Sequence, residues 1–141
     1  MSKTRFLILL LGSLGTWSAA TAQDVVLVAN KAVRISEITD ADLRGIFIGT
    51  RTRFADGSHA VPVILKGGPV HEVFLKKHVG QGPEEFRSEW RKMVFTGQGA
   101  MPKAFDSESD LIEYVAATPG AVGYVSRVSS QDGVRVLATV K

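Results

Sequence analysis

The sequence predicts a single α/β domain in which a small mixed sheet is flanked by helices. Apolar runs of strand length alternate with amphipathic segments of helix length, and Gly, Pro or a capping residue bounds each of them. The chain has no internal repeat and no low-complexity tract. After an N-terminal export signal about 119 residues remain, which is enough for one hydrophobic core and too few for two.

Residues 1–22 are expected to be a cleavable signal peptide. Lys3 and Arg5 give a positive start, residues 6–11 are apolar, and residues 20–22 have the small-x-small pattern that signal peptidase cuts. The apolar run is shorter than the roughly 20 residues that span a bilayer, so a membrane anchor is the weaker alternative. The mature domain is therefore expected to comprise residues 23–141 and to lie in the periplasm.

The composition excludes several classes of function. The formal net charge is +3, and it falls to +1 without Lys3 and Arg5, which gives no support to general binding of nucleic acid. The chain has no Cys, so packing alone must stabilise it, and the periplasm is favoured over a harsher extracellular setting. With neither a thiol nucleophile nor a Gly-x-Ser-x-Gly turn, we do not expect an enzyme.

The first half of the mature chain predicts a strand, a helix and a second strand. Residues 25–29 form a continuous apolar run. Thr39 is expected to cap a helix that ends at Gly49. Residues 61–65 form the second strand, and Pro62 places it either at an edge of the sheet or at the start of a strand.

Three helices and two strands complete the predicted order. Pro69 and Pro83 begin two helices, and a third covers residues 107–117. Residues 121–125 follow as a strand whose small side chains suit cover on both faces or close approach of another backbone. Residues 134–140 form the last strand. The faces expected to point inward contain Val70, Val73 and Phe74, then Phe86, Trp90, Met93 and Val94, and finally Leu111, Ile112, Val115 and Ala116.

Three stretches resemble, in sequence and in order, the second half of the phosphate-binding protein of bacterial phosphate ABC transporters: residues 42–50, 89–97 and 115–125. The resemblance covers nearly the whole mature chain. It implies a type II periplasmic-binding-protein lobe that grips its ligand at loops leading from strands into helices. It also implies phosphate or another small oxyanion as the ligand and a membrane transporter as the partner.

The chain departs from that family in two respects. Full-length members have two lobes that close on the anion, whereas this chain is long enough for one. The family's anion loop reads Gly-Ser-Gly-Thr, and the corresponding residues here are Gly67, Gly68, Pro69 and Val70. Both hydroxyl groups are therefore missing, and Pro69 also lacks an amide donor.

The best candidate for an anion site is nevertheless the loop after residues 61–65. Gly67 and Gly68 permit close approach of a ligand to the backbone, Lys66 adds a positive charge, and Val70 and His71 lie in the first turn of the next helix. The alternative is that the glycines only turn the chain and the proline only starts a helix. One lobe alone would bind an anion at roughly millimolar strength, because the cost of association offsets most of the gain from a few charge-assisted hydrogen bonds.

The histidines do not predict a metal site, and no cofactor is expected. His71 and His78 are seven residues apart, which differs from the spacing of a His-Glu-x-x-His zinc motif. Metal sites need three or four protein ligands, so we expect both histidines on a solvated surface.

Two functions remain open at this point. The first is a periplasmic solute-binding protein for a small oxyanion. The second is an accessory module that docks to a membrane sensor, porin or transporter through its helices. A homodimer that supplies the second wall of a binding cleft is compatible with the sequence.

Overall fold

The computed structural model describes residues 24–141, so the predicted signal peptide lies outside the described part of the chain. The helices are α1 (Asp40–Ile48), α2 (Pro69–Phe74), α3 (Pro83–Phe95) and α4 (Glu108–Ala117), and α2 continues as a π-helical segment over Leu75–Val79. The strands are β1 (Val26–Asn30), β2 (Glu37–Thr39), β3 (Val61–Leu65), β4 (Lys103–Phe105), β5 (Ala121–Val125) and β6 (Val134–Val140).

The strands form one mixed sheet in the order β2-β6-β1-β5-β3-β4. β1 is antiparallel to both of its neighbours, β5 and β6, while β3 is parallel to β4 and to β5. The carboxyl ends of β3, β4 and β5 therefore meet at one edge, which we call the carboxyl edge; the loops that leave it begin at Lys66, Asp106 and Ser126. The predicted architecture, a mixed sheet flanked by helices, is confirmed.

All five residues of β5 are buried. A Cβ atom added to Gly123 would lie 2.9 Å from side-chain carbons of both Leu111 and Val63, so α4 and β3 pack directly against this glycine. The sequence predicted that small residues in this strand allow neighbouring elements to pack closely against it, and this is confirmed.

Local signals set the helix ends as predicted. The Thr39 and Ser107 hydroxyl oxygens each accept a hydrogen bond at 3.1 Å, from the backbone N–H of Asp42 and of Asp110 respectively. These contacts satisfy N–H groups that have no partner within the helix. Gly49 ends α1 with a φ of 86°, a left-handed angle that glycine adopts without a steric cost.

The structure differs from the sequence prediction at its shortest strands and at one proline. The predicted order lacked β2 and β4, because three residues are too few to show the alternation of a strand. β3 is an internal strand, yet Pro62 pairs only with Val122 of β5, since β4 begins opposite Val63. The alternative that placed the proline at a strand start is therefore right, and the edge position is wrong.

Two residues expected to point inward are exposed. Val94 has 47% of its surface exposed, and Ala116 also lies on the outside. The inward face of α3 ends at Met93, which is partly buried against the core, so the last turn of this helix extends into solvent.

The turn before β5 yields a test of the fold. Gly120 has a φ of 83°, and a Cβ atom placed on it would lie 2.6 Å from the backbone carbonyl oxygen of His59. Gly57 has a similar φ of 86° but nothing within 4 Å of its added Cβ. Gly57→Ala should lower the free energy of unfolding by about 1 to 2 kcal/mol for the left-handed angle alone. Gly120→Ala should cost at least about 3 kcal/mol, because the clash with backbone is added. Urea unfolding of both variants measures the difference, and equal losses would contradict this account of the turn.

Candidate functional site

The predicted anion loop lies at the carboxyl edge, between β3 and α2. Gly68 has a φ of 96°, so the turn requires glycine at this position. A Cβ atom on Gly67 or on Gly68 would meet nothing within 4 Å, which leaves the backbone of the loop open to solvent. The side chain of Val70 is buried, so only its backbone can face a ligand.

A cavity of about 250 Å³ lies between this loop and α3. Its three polar side chains are Lys66, His71 and Arg87, and apolar residues from β3, β4, α3 and the adjoining loops complete the wall. The structure thus brings two of the predicted site residues together and adds Arg87, which the sequence analysis did not assign to the site. Only the position of α3 beside the loop could have indicated it, because no spacing motif links Arg87 to residues 66–71.

Both cationic side chains of the cavity have a carboxylate partner. Lys66 Nζ lies 3.1 Å from Asp106 Oδ2, and Arg87 Nη1 donates to Glu84 Oε1 at 2.6 Å. All four side chains are substantially exposed, and exposed pairs of this kind contribute at most about 1 kcal/mol. The pairs can therefore rearrange at little cost, but their carboxylates weaken the attraction of the cavity for an anion.

The first turn of α4 places a negative charge beside the loop after β5, at the same edge. Glu108, the first residue of α4, accepts hydrogen bonds from the backbone N–H of Ser126 and, at 3.0 Å, from its hydroxyl. This carboxylate ties the end of β5 to α4. The side of the edge suited to an anion is therefore the one formed by the β3 loop and α3.

Both histidines of the second helix are buried, which makes the expectation of solvated histidines wrong. His71 is 4% exposed and His78 is 8% exposed. The buried residues recur at intervals of four, a longer interval than the 3.6 residues of an α-helical turn. The wider π-helical segment accommodates this, with the Gly80 N–H bonded to the Leu75 carbonyl at 2.7 Å. The buried positions are Val70, His71, Phe74, Leu75, His78 and Val79.

His71 contacts the core through Tyr124, a fully buried residue of β5. His71 Nδ1 and the Tyr124 hydroxyl form a hydrogen bond, and the same hydroxyl oxygen accepts the Leu65 N–H at 3.0 Å. Burial lowers the pKa of His71, and Arg87 lowers it further, against a smaller opposite effect of Glu72. Burial raises the pKa of Tyr124. Both side chains are therefore neutral at pH 7.

A second cavity, of about 430 Å³, lies at the opposite end of β3 and β4. Trp90, Met93 and Met101 give it a mostly apolar wall, and Arg51 and Lys103 also line it. It contains none of the residues predicted for the anion site.

Residues 24–141 contain no group of three or more His, Cys, Asp or Glu side chains arranged to hold a metal ion. Within the same residues, no helix combines the length and the apolar character that crossing a membrane requires.

No family model matches the chain. Solved structures of similar fold include an ABC-type phosphate transport receptor from Vibrio cholerae (16% identity, TM-score 0.58) and PstS from Borrelia burgdorferi (18%, 0.57). A third is a phosphate ABC transporter substrate-binding protein from Clostridium perfringens, solved with phosphate bound (18%, 0.63). Each match covers 82% of this chain.

The chain spans less than half the length of these proteins, since the matches cover 45%, 46% and 44% of them in the order given above. The likeness shows that the chain has the fold of a periplasmic-binding-protein lobe, as the sequence resemblance implied. At this level of identity it shows the fold alone.

Acid should destabilise the protein through its buried histidines. Burial lowers the pKa of His78, as it does for His71; Lys77 adds to the lowering, and Asp40 opposes it from 3.8 Å. In the unfolded chain these residues titrate near the ordinary value of 6.5. Below that pH the unfolded chain binds more protons than the folded one. The stability that the folded state gains from keeping these histidines neutral is therefore complete above about pH 6.5. It is lost as the pH falls toward the lowered pKa values of the folded state.

Urea unfolding between about pH 8 and about pH 5 measures this effect. His78→Gln should reduce the loss of unfolding free energy on acidification, whereas His59→Gln, at an exposed histidine, should not change it. An unchanged pH dependence in His78→Gln would contradict the assignment.

Proposed function

We propose that this chain is a single-lobe solute-binding protein of the periplasm that holds a small oxyanion, such as phosphate, at the carboxyl edge. The site consists of Lys66, His71 and Arg87 around the cavity, together with the open backbone of Gly67 and Gly68 and the backbone of Val70. The convergence of three nitrogen-bearing side chains on one cavity beside an open glycine loop carries the proposal.

The solved structures of similar fold support the proposed ligand class. The Vibrio cholerae and Clostridium perfringens proteins are named as parts of phosphate transport systems, and the second was solved with phosphate bound. The proposal further includes that the chain corresponds to the second half of such a protein and that a membrane transporter is its partner. It also includes cleavage of a signal peptide at residues 1–22, which the sequence pattern of these residues supports.

The strength of binding follows from the single lobe. An anion at this edge gains a few hydrogen bonds from charged donors, each contributing about 1.5 to 3 kcal/mol, while association costs at least about 4 kcal/mol. Asp106 and Glu84 reduce the gain further by competing for the cations. A dissociation constant of roughly 1 mM is expected, and tighter binding would require a second wall from a partner or from another copy of the chain.

Thermal unfolding in phosphate tests the site directly. With a dissociation constant of about 1 mM, about 10 mM phosphate stabilises the folded state by about 1.4 kcal/mol, which raises Tm by about 5 °C for a domain of this size. Lys66→Glu should abolish the increase, because it replaces an attractive charge with a repulsive one. Lys76→Glu makes the same charge change at an exposed position of the helical segment that follows the loop and should retain it. No increase in either phosphate or sulfate would refute the proposal and favour an accessory module that docks to a protein partner.

Substitution of Asp106 should strengthen phosphate binding, in contrast to substitution of Lys66. Because its carboxylate lies 3.1 Å from Lys66 Nζ, Asp106→Asn should release this cation for the ligand. Removal of one negative charge near the anion should tighten phosphate binding about threefold. Glu113→Gln removes the same charge from an exposed position on α4 and should leave the dissociation constant unchanged. Isothermal titration measures both, and weaker binding by Asp106→Asn would place the anion elsewhere.

A further inference from the structure

Three groups form a continuous hydrogen-bond chain from the sheet to the cavity at the carboxyl edge. The Leu65 backbone N–H donates to the Tyr124 hydroxyl oxygen at 3.0 Å, beyond the part of β3 that pairs with β5. The Tyr124 hydroxyl in turn contacts Nδ1 of His71. Tyr124 and His71 are buried, but His71 also borders the cavity beside Lys66 and Arg87.

The direction of these hydrogen bonds fixes the positions of their protons. A backbone N–H can only donate, so it occupies a lone pair of the Tyr124 oxygen, and the hydroxyl proton remains for the contact with His71. A neutral imidazole has one donor and one acceptor nitrogen. If Nδ1 carried the ring proton, the Tyr124 oxygen would accept twice and its own proton would be unpaired, because this hydroxyl has no third partner among residues 24–141. A buried unpaired O–H is strongly disfavoured, so Nδ1 accepts and Nε2 carries the proton.

We infer that Tyr124 is a positioning residue of the proposed anion site: it holds His71 as the Nε2–H tautomer, so that His71 donates a hydrogen bond to the bound oxyanion. The inference rests on the proposed function. With His71 in this form, the polar side chains that line the cavity, namely Lys66, His71 and Arg87, are all donors. The ligand that matches such a wall is an oxyanion whose oxygens only accept hydrogen bonds.

Each link of the hydrogen-bond chain has its own structural support. The Tyr124 ring stacks on Phe74, with centroids 3.8 Å apart and planes 9° apart, which holds its hydroxyl in place. The groups that face His71 are Arg87 from α3, Glu72 from its own helix and Tyr124 from β5. The positive charge of Arg87 and the burial of the ring both oppose a second proton on His71, so the acceptor role of Nδ1 is maintained at neutral pH.

Nitrogen-15 NMR of the purified protein with labelled histidine tests the tautomer at about pH 8, where histidine is neutral. The ring signals of His71, identified by their loss in His71→Gln, should show the Nε2–H form. Sodium sulfate is the probe, because its oxygens only accept hydrogen bonds at this pH, and it should shift the Nε2–H resonance. Tyr124→Phe should abolish the preference for one tautomer and weaken sulfate binding about tenfold. Tyr114→Phe removes the only other tyrosine hydroxyl of the chain and should change neither.

Several outcomes would overturn the inference. An Nδ1–H tautomer in the wild-type protein would do so, whether or not Tyr124→Phe folds. So would a His71 signal that is unmoved by sulfate while the amide resonances of the Lys66 loop shift. If about 10 mM sulfate and phosphate shift no resonance, the proposed function and the donor role both fail, and the tautomer of the wild-type protein alone decides whether Tyr124 positions His71.

Discussion

The structure depends on the burial of a single hydroxyl group at its centre. Tyr124 has no exposed surface, and its ring lies against Phe74, so its hydroxyl must find hydrogen-bond partners inside the protein. It finds one in the backbone of β3 and one in a side chain of α2. These two contacts fix strand β5, its parallel neighbour β3 and helix α2 relative to one another. The loop that connects the last two elements is the proposed anion loop, so the core and the site share one constraint.

The carboxyl edge divides into two halves of different electrostatic character. On one half, the β3 loop and α3 provide the cations Lys66 and Arg87. On the other half, the loop after β4 provides Asp106, and the first turn of α4 provides Glu108. The Glu108 carboxylate is hydrogen-bonded to Ser126. Asp106 and Glu84, in contrast, contact the two cationic side chains only through exposed ion pairs. An anion can therefore exchange with these carboxylates at small cost. This balance suits a site that becomes strong only when a second surface covers it, because the removal of water strengthens every charged contact within it.

The sequence predicted those features that neighbouring residues determine. The cap at Thr39, the start of a helix at Ser107 and the stop at Gly49 each depend on a few adjacent residues, and all three are as expected. The loop at Lys66 was also identified, because a lysine and two glycines between a strand and a proline form a local pattern. The contribution of Arg87 to the cavity and the burial of His71 were not predicted. Both depend on how separate elements pack, and the π-helical segment that keeps His78 buried has no signal in the sequence.

The two outermost strands of the sheet, β2 and β4, have three residues each. An edge strand presents unpaired N–H and C=O groups to which a strand of another chain can add, and natural proteins often keep such strands short to prevent this. Each of these two strands offers only a few such groups, so addition of another strand to β2 or to β4 is disfavoured.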